Sequence, residues 1–128
     1  MKIIIVLFIL FLLTSCNKEN NRNINSNTLE INKEWIKDSL GCLKKRNNDY
    51  SENLIQKYNL KNSNISDFKK VFGPPNTTER GNLNTDEILI YFFDSYCENN
   101  ILQNNSDKCY ATFYFRNNIL IDRSYMCE

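Results

Sequence analysis

The chain has 128 residues, 16 basic and 15 acidic side chains, and no histidine. Lack of histidine removes the commonest general base and the commonest metal ligand. A near-neutral chain of mixed charge offers no electrostatic footprint for nucleic acid, and the length allows one domain.

In chain order, Lys2 comes first, followed by the unbroken apolar run Ile3 to Leu13 and then Thr14, Ser15 and Cys16. A basic start, about ten apolar residues and a small-residue cleavage site make a secretory signal peptide. The run is too short to span a bilayer, which takes about 20 residues. The order Leu13-Thr14-Ser15-Cys16 resembles a bacterial lipobox. That resemblance implies that residues 1–15 are removed and that the Cys16 thiol carries a diacyl lipid of the palmitate kind. Cys16 would then be the mature N-terminus, held on a membrane. The alternative is an ordinary signal peptide with an incidental cysteine. Lys2 would leave with the signal, so the mature chain would balance 15 basic against 15 acidic side chains.

Residues 16–31 read as the acylated cysteine and a flexible tether. The stretch from Asn17 to Asn27 is rich in Asn and nearly free of apolar side chains, so it cannot offset the entropy of ordering. A single domain is expected over 32–128. Its first helix is expected from Asn32 to Arg46, with Asn32 as N-cap, Ile36, Leu40 and Leu43 at helical spacing, and Lys44, Lys45 and Arg46 as cations at its C-terminal end. Gly41 inside it would admit another element at close range. A second helix is expected from Ser51 to Tyr58. A third starts at Ser66, buries Phe68, Val71 and Phe72, and stops at Gly73-Pro74-Pro75.

Asn76 to Asp86 reads as a polar loop. The period then changes, and Glu87–Cys97, Cys109–Arg116 and Ile119–Cys127 read as three strands rich in Ile, Phe, Tyr and Thr. Asn117-Asn118 suits a two-residue hairpin turn, because Asn tolerates positive φ.

After Cys16, the cysteines are Cys42, Cys97, Cys109 and Cys127. In a small exported chain they read as two disulfides and an oxidising compartment. No metal is expected, since zinc sites show closer cysteine pairs. Setting Cys97 opposite Cys109 puts Tyr91, Phe93, Phe113 and Phe115 on one face of the sheet, and leaves Cys42 to pair with Cys127. The other face then carries Phe92, Tyr96, Tyr110, Tyr114 and Tyr125. A strict two-residue turn would put Cys127 away from the Phe face. Either the last hairpin has a bulge, or the helices cover the Tyr side. The Tyr-rich face is read as the exposed, partner-binding one, because Tyr works at wet boundaries and is enriched in binding hot spots.

The lipobox, the tether, the helices, the segment Phe68-Lys69-Lys70-Val71-Phe72-Gly73-Pro74-Pro75 and the hairpin at Asn117 together resemble small lipoproteins of the SmpA/OmlA type. The resemblance implies an α+β fold, with two or three N-terminal helices packed on a three-stranded antiparallel sheet. It also implies an accessory role in outer-membrane protein assembly.

Catalysis is not expected. Asp86, Glu87, Asp94 and Asp122 lie near the sheet, but a solvated polar face accounts for them. No cysteine is left as a nucleophile once two disulfides form. The expectation is a lipid-anchored protein of the bacterial envelope, at the outer membrane facing periplasm or cell surface. It would have no cofactor and no small-molecule substrate, and would bind another envelope protein. The alternative is a periplasmic inhibitor or immunity-type protein that neutralises a hydrolase.

Overall fold

The structure is a computed structural model and describes residues 28–128. The expectations for the signal peptide, for Cys16 and for the tether up to residue 27 lie outside the described residues. Among the described residues the fold is α+β, with three helices, a four-stranded antiparallel sheet and a separate two-stranded hairpin.

Helix α1 spans Lys33–Lys37. Asn32 caps it as expected, its side chain accepting from the Trp35 N–H at 2.9 Å. The helix ends well short of Arg46 because of Asp38. That buried carboxylate accepts the backbone N–H groups of Leu43 at 2.8 Å, Lys45 at 2.7 Å and Arg46 at 3.3 Å. A short acceptor that satisfies backbone donors ahead of it replaces helical bonds with a tight return. Leu40 and Leu43, expected on an inward stripe, are exposed in this return.

Arg46 is not a surface cation at a helix end; it is buried. Its Nε donates to the Trp35 carbonyl at 2.7 Å, and its Nη1 to the carbonyls of Ser39 and Phe92, each at 3.3 Å. The guanidinium lies 4.6 Å over the Trp35 ring, a cation–π contact that is strongest when desolvated. Burial lowers its pKa to about 10, opposed by the Asp38 carboxylate. Gly41 does admit another element. Its φ is +72°, and a Cβ there would sit 2.9 Å from the Phe93 carbonyl carbon.

Helix α2 spans Asn48–Lys57 and buries Leu54 and Ile55. Helix α3 spans Ile65–Phe72 and buries Phe68, Val71 and Phe72. The N-cap of α3 is Asn64, not Ser66; its side chain accepts from Asp67 N–H at 2.8 Å. Gly73, at φ +71°, ends the helix as expected.

The strands are β1 (Thr77–Arg80), β2 (Asp86–Ser95), β3 (Cys97–Glu98), β4 (Ile101–Leu102), β5 (Lys108–Arg116) and β6 (Ile119–Cys127). The main sheet runs β1-β2-β5-β6, so it has four strands where three were expected. Strand β1 carries only Thr, Glu and Arg and is exposed throughout. It therefore lacks any apolar signal, and a polar edge of this kind also resists unwanted pairing. Asn117 and Asn118 take φ of 49° and 68° at the β5–β6 turn, as a primed hairpin turn requires.

The core lies between the helices and one face of the sheet. Trp35, Leu54, Phe68, Val71 and Phe72 meet Leu89, Tyr91, Phe93, Ala111, Phe113, Phe115 and Leu120. Phe68 lies 4.7 Å from Phe113 and 4.3 Å from Phe72, centroid to centroid. The Tyr91 hydroxyl donates to the Gly73 carbonyl at 2.9 Å, so this buried phenol is not left unpaired. Leu29, read as tether, packs against this core.

The strand register differs from the expected one. Tyr91 is opposite Ala111 rather than Phe115, a slip of four residues. Up to Phe92 the slip is even and preserves which side chains share a face, so Tyr91, Phe113 and Phe115 still lie together; Phe93 has no partner at a bulge in β2 and is buried with them. The cysteine pairing does change. The disulfides are Cys42–Cys97 and Cys109–Cys127, not Cys42–Cys127 and Cys97–Cys109. Asp94, not Cys97, is level with Cys109 on β2, while Cys127 is directly opposite Cys109 on β6. Cys97 lies beyond the end of β2, where the return after α1 reaches it.

Peptide mapping without reduction is expected to recover the Cys42–Cys97 and Cys109–Cys127 links. Replacing both Cys42 and Cys97 with Ser should lower unfolding stability by about 2–5 kcal/mol in denaturant titration, the usual cost of losing a native bridge in a small exported domain.

Candidate interaction surface

Alternation along the strands turns one set of side chains away from the helices. The register arranges them in rows across the sheet. Phe92, Tyr110 and Met126 form one row, and Thr77, Ile90, Thr112 and Ser124 the next. Glu79, Ile88, Tyr114 and Asp122 form the third. Side chains directly opposite each other on neighbouring strands touch and stiffen the surface. Thr112, at the centre, is buried by its neighbours although no helix covers it. Phe92, Tyr110 and Tyr114 are half-buried.

Polar contacts at the rim fix the two tyrosines. The Tyr110 hydroxyl donates to Glu128 Oε1 at 2.7 Å, and the Tyr114 hydroxyl and Ser124 Oγ are 3.3 Å apart. The bond to the Glu128 carboxylate raises the Tyr110 pKa above the ordinary phenol value. Lys108 Nζ lies 5.9 Å from the Phe92 ring centre. The face is thus an aromatic and aliphatic band bordered by Glu79, Asp122 and Glu128, with Lys108 at one end.

Of the five residues assigned to this face from sequence, Phe92, Tyr110 and Tyr114 lie on it. Tyr96 does not, because β2 ends at Ser95. Its hydroxyl donates to Glu98 Oε1 at 3.1 Å beside the β3–β4 hairpin. Tyr125 lies on the opposite side of the sheet. Between the pairs Tyr114–Asp122 and Phe115–Leu120, Ile121 has no partner and bulges. One extra residue reverses the parity of the rest of β6. Arg123, Tyr125 and Cys127 therefore face the helices, while Asp122, Ser124 and Met126 join the open face. Ile88, Ile90, Thr112 and Met126 were missed as surface residues, although the alternation of β2 and β5 carries the signal for the first three.

The reversed half of β6 clamps helix α2. Arg123 Nη2 donates to Glu52 Oε2 at 2.7 Å, and Arg123 Nε to Glu52 Oε1. The Tyr125 hydroxyl donates to the same Glu52 oxygen and lies 3.2 Å from Ser51 Oγ. The Tyr125 ring stacks on Phe93 at 5.8 Å. Burial, then the bond to Glu52, pushes the Tyr125 pKa to about 12. Arg123 holds the Glu52 carboxyl below its ordinary range against a smaller opposing effect of burial.

A cleft of about 770 Å³ at the end of the sheet is lined by all four disulfide cysteines with Lys44, Asp94 and Ser95 among others. Three of the four carboxylates weighed for catalysis have cation partners, and Asp122 Oδ1 accepts from the Arg123 backbone N–H at 2.8 Å. Asp94 pairs with Lys44 at 3.4 Å, Glu87 with Lys69 at 3.1 Å and Asp86 with Arg116 at 3.1 Å. Among the described residues no group of three or more His, Cys, Asp or Glu side chains is placed to hold a metal. None of the described helices is long and apolar enough to cross a membrane.

No protein-family model, curated protein or solved structure matches the chain.

The Glu52 clamp predicts a pH dependence. A carboxyl whose pKa is depressed by folding stabilises the fold above its unfolded value, here near 4.5, and that stability is lost as pH falls through the depressed value. Glu52→Gln should therefore melt below the wild type at pH 7. The two melting temperatures should converge as pH falls below the ordinary carboxylate range.

Proposed function

We propose that this chain is a lipid-anchored protein of the bacterial cell envelope that has no catalytic activity and binds another envelope protein through the open face of its sheet. Cysteine usage carries the reading. Of five cysteines, four are joined to one another in two disulfides. Disulfides persist in exported chains, and the arithmetic leaves Cys16 as the odd one, directly after a signal-like run. Lipidation accounts for an unpaired cysteine at that position. The SmpA/OmlA resemblance, with its three-stranded sheet, supports the class of role more than the particular complex, since this sheet has four strands.

The open face supports a protein partner. It is a contiguous aromatic surface with a satisfied polar rim, the composition of interface cores. Its border is more acidic than basic, so the partner should present apolar side chains ringed by Lys or Arg. The role is that of an accessory or scaffold subunit held at one membrane.

Two experiments test this reading. Cys16→Ser should abolish incorporation of labelled fatty acid and release the protein from sedimented membranes, since stable attachment takes two or more acyl chains. Labelled, membrane-bound Cys16→Ser protein would refute the anchor. Replacing Tyr110 and Tyr114 together with Ala should abolish partner recovery from intact, cross-linked cells while the melting temperature shifts little. Retained partner recovery would refute the interface.

A further inference from the structure

A second apolar surface lies away from the open face. Leu40 is 41% exposed, Leu43 48%, Tyr96 58% and Ile101 65%. They sit on two loops that the Cys42–Cys97 disulfide joins. Leu40, Leu43, Cys42 and Asn100 line one depression of about 260 Å³. Cys42 Sγ is 4.0 Å from the Asn100 carbonyl, and Ile101 follows directly. This frame cannot retract its apolar side chains. Asp38 and Arg46 fix both ends of the first loop, and Ser95 N–H donates to the Gly41 carbonyl at 3.1 Å. Aliphatic groups held rigidly in water mark a contact surface.

We propose that this patch seats on the interfacial layer of the lipid bilayer. The inference rests on the reading of Cys16 as the lipidated residue. The chemistry of the patch differs from that of the open face, which is flat, aromatic and laced with hydroxyls. Here aliphatic side chains project from two loop tips beside an exposed phenol. Lys37, Lys44 and Lys45 border them, and all three are exposed. Leu and Ile suit the boundary of the acyl region, Tyr the headgroup level, and Lys stems reach back to water.

The chain length between anchor and domain favours this occupant. From Cys16 to Thr28 a chain of this length reaches about 40 Å at most. From Thr28 the described chain passes through the short helix α1 into Leu40. A tether of this length holds the patch at an effective concentration in the millimolar range with respect to the membrane, so a few aliphatic contacts suffice. The local charge is balanced. Lys37 pairs with Glu34, Lys44 pairs with Asp94 at 3.4 Å, and Glu98 accepts from Tyr96. Contact is therefore apolar, and it requires neither anionic headgroups nor low salt.

The test uses the full-length, acylated chain in phosphatidylcholine vesicles whose acyl chains carry bromine, a short-range quencher of indole. Ile101→Trp and Leu43→Trp each place an indole in the patch. Leu83→Trp is the control, since Leu83 is exposed before the start of β2, about 30 Å of strand away. The native Trp35 is buried and supplies a constant background. Flotation and the intact mass at Cys16 read the anchor separately. Strong quenching is expected for both patch variants and none for Leu83→Trp, unchanged by added phosphatidylglycerol or by high salt. An acylated chain that floats with both patch indoles unquenched overturns this inference and leaves the anchor standing. A chain that is not acylated overturns the anchor and this inference with it. Quenching that appears only with anionic lipid, or cross-linking of the patch to a second copy in place of quenching, also overturns it.

Discussion

One unpaired residue in the last strand decides how the sheet is used. Ile121 bulges between Leu120 and Asp122, so Leu120 faces the core as Phe115's partner, while the residues after the bulge reverse. Without that extra residue Asp122, Ser124 and Met126 would be driven toward the helices, and Arg123 and Tyr125 out to water. With it, Arg123 and Tyr125 reach Glu52 and Ser51 on α2. Cys127 comes level with Cys109 on the helix side, and a continuous open face remains. The docking of α2, one of the two disulfides and the candidate interaction surface all follow from this one local departure from strand geometry. Bulges that re-aim side chains are known near functional surfaces.

A second constraint acts on the return after α1. Asp38 and Arg46 are both buried, yet they do not contact each other as an ion pair. Each instead binds backbone, Asp38 through donors ahead of it and Arg46 through the carbonyls of Trp35, Ser39 and Phe92. Buried charges normally need direct compensation. Here the compensation is three N–H groups for the anion, and three carbonyls with an aromatic face for the cation. These bonds tie the return after α1 to β2, bring Cys42 to Cys97, and hold Leu40 and Leu43 outward. The two attachments are thus built differently. Side-chain clamping across a bulged strand makes one, and backbone capture by buried charges makes the other.

Much of this was legible in the sequence. The third helix announced itself through Phe68, Val71, Phe72 and Gly73, and strand β6 through its hairpin turn and β-rich composition. The division of aromatics was readable too, because alternation survives an even slip of register; Tyr91, Phe113 and Phe115 are core although their expected opposite partners were wrong, and Phe93 joins them from a bulge. The end of α1 was not legible, since Leu40 and Leu43 keep helical spacing while Asp38 ends the helix by a contact several residues ahead. Strand β1 carried no signal, being polar and held by backbone bonds alone. The cysteine pairing depended on where β2 stops, and a two-residue error in that boundary moved Cys97 out of the sheet. Tyr125 was assigned to the wrong side because a bulge leaves no mark on composition. It showed only as the misfit of Cys127 against a strict two-residue turn.

The central claim is that the open face, and not the helix side, meets a protein in the envelope. Site-specific photo-cross-linking in intact cells tests it most directly. A photoreactive residue at Met126 lies on the open face, and one at Lys61 is exposed beyond helix α2. The account predicts a single defined adduct with an envelope protein from Met126 and none from Lys61. An adduct from Lys61 alone, or none from Met126 in cells where the protein is anchored, would contradict it.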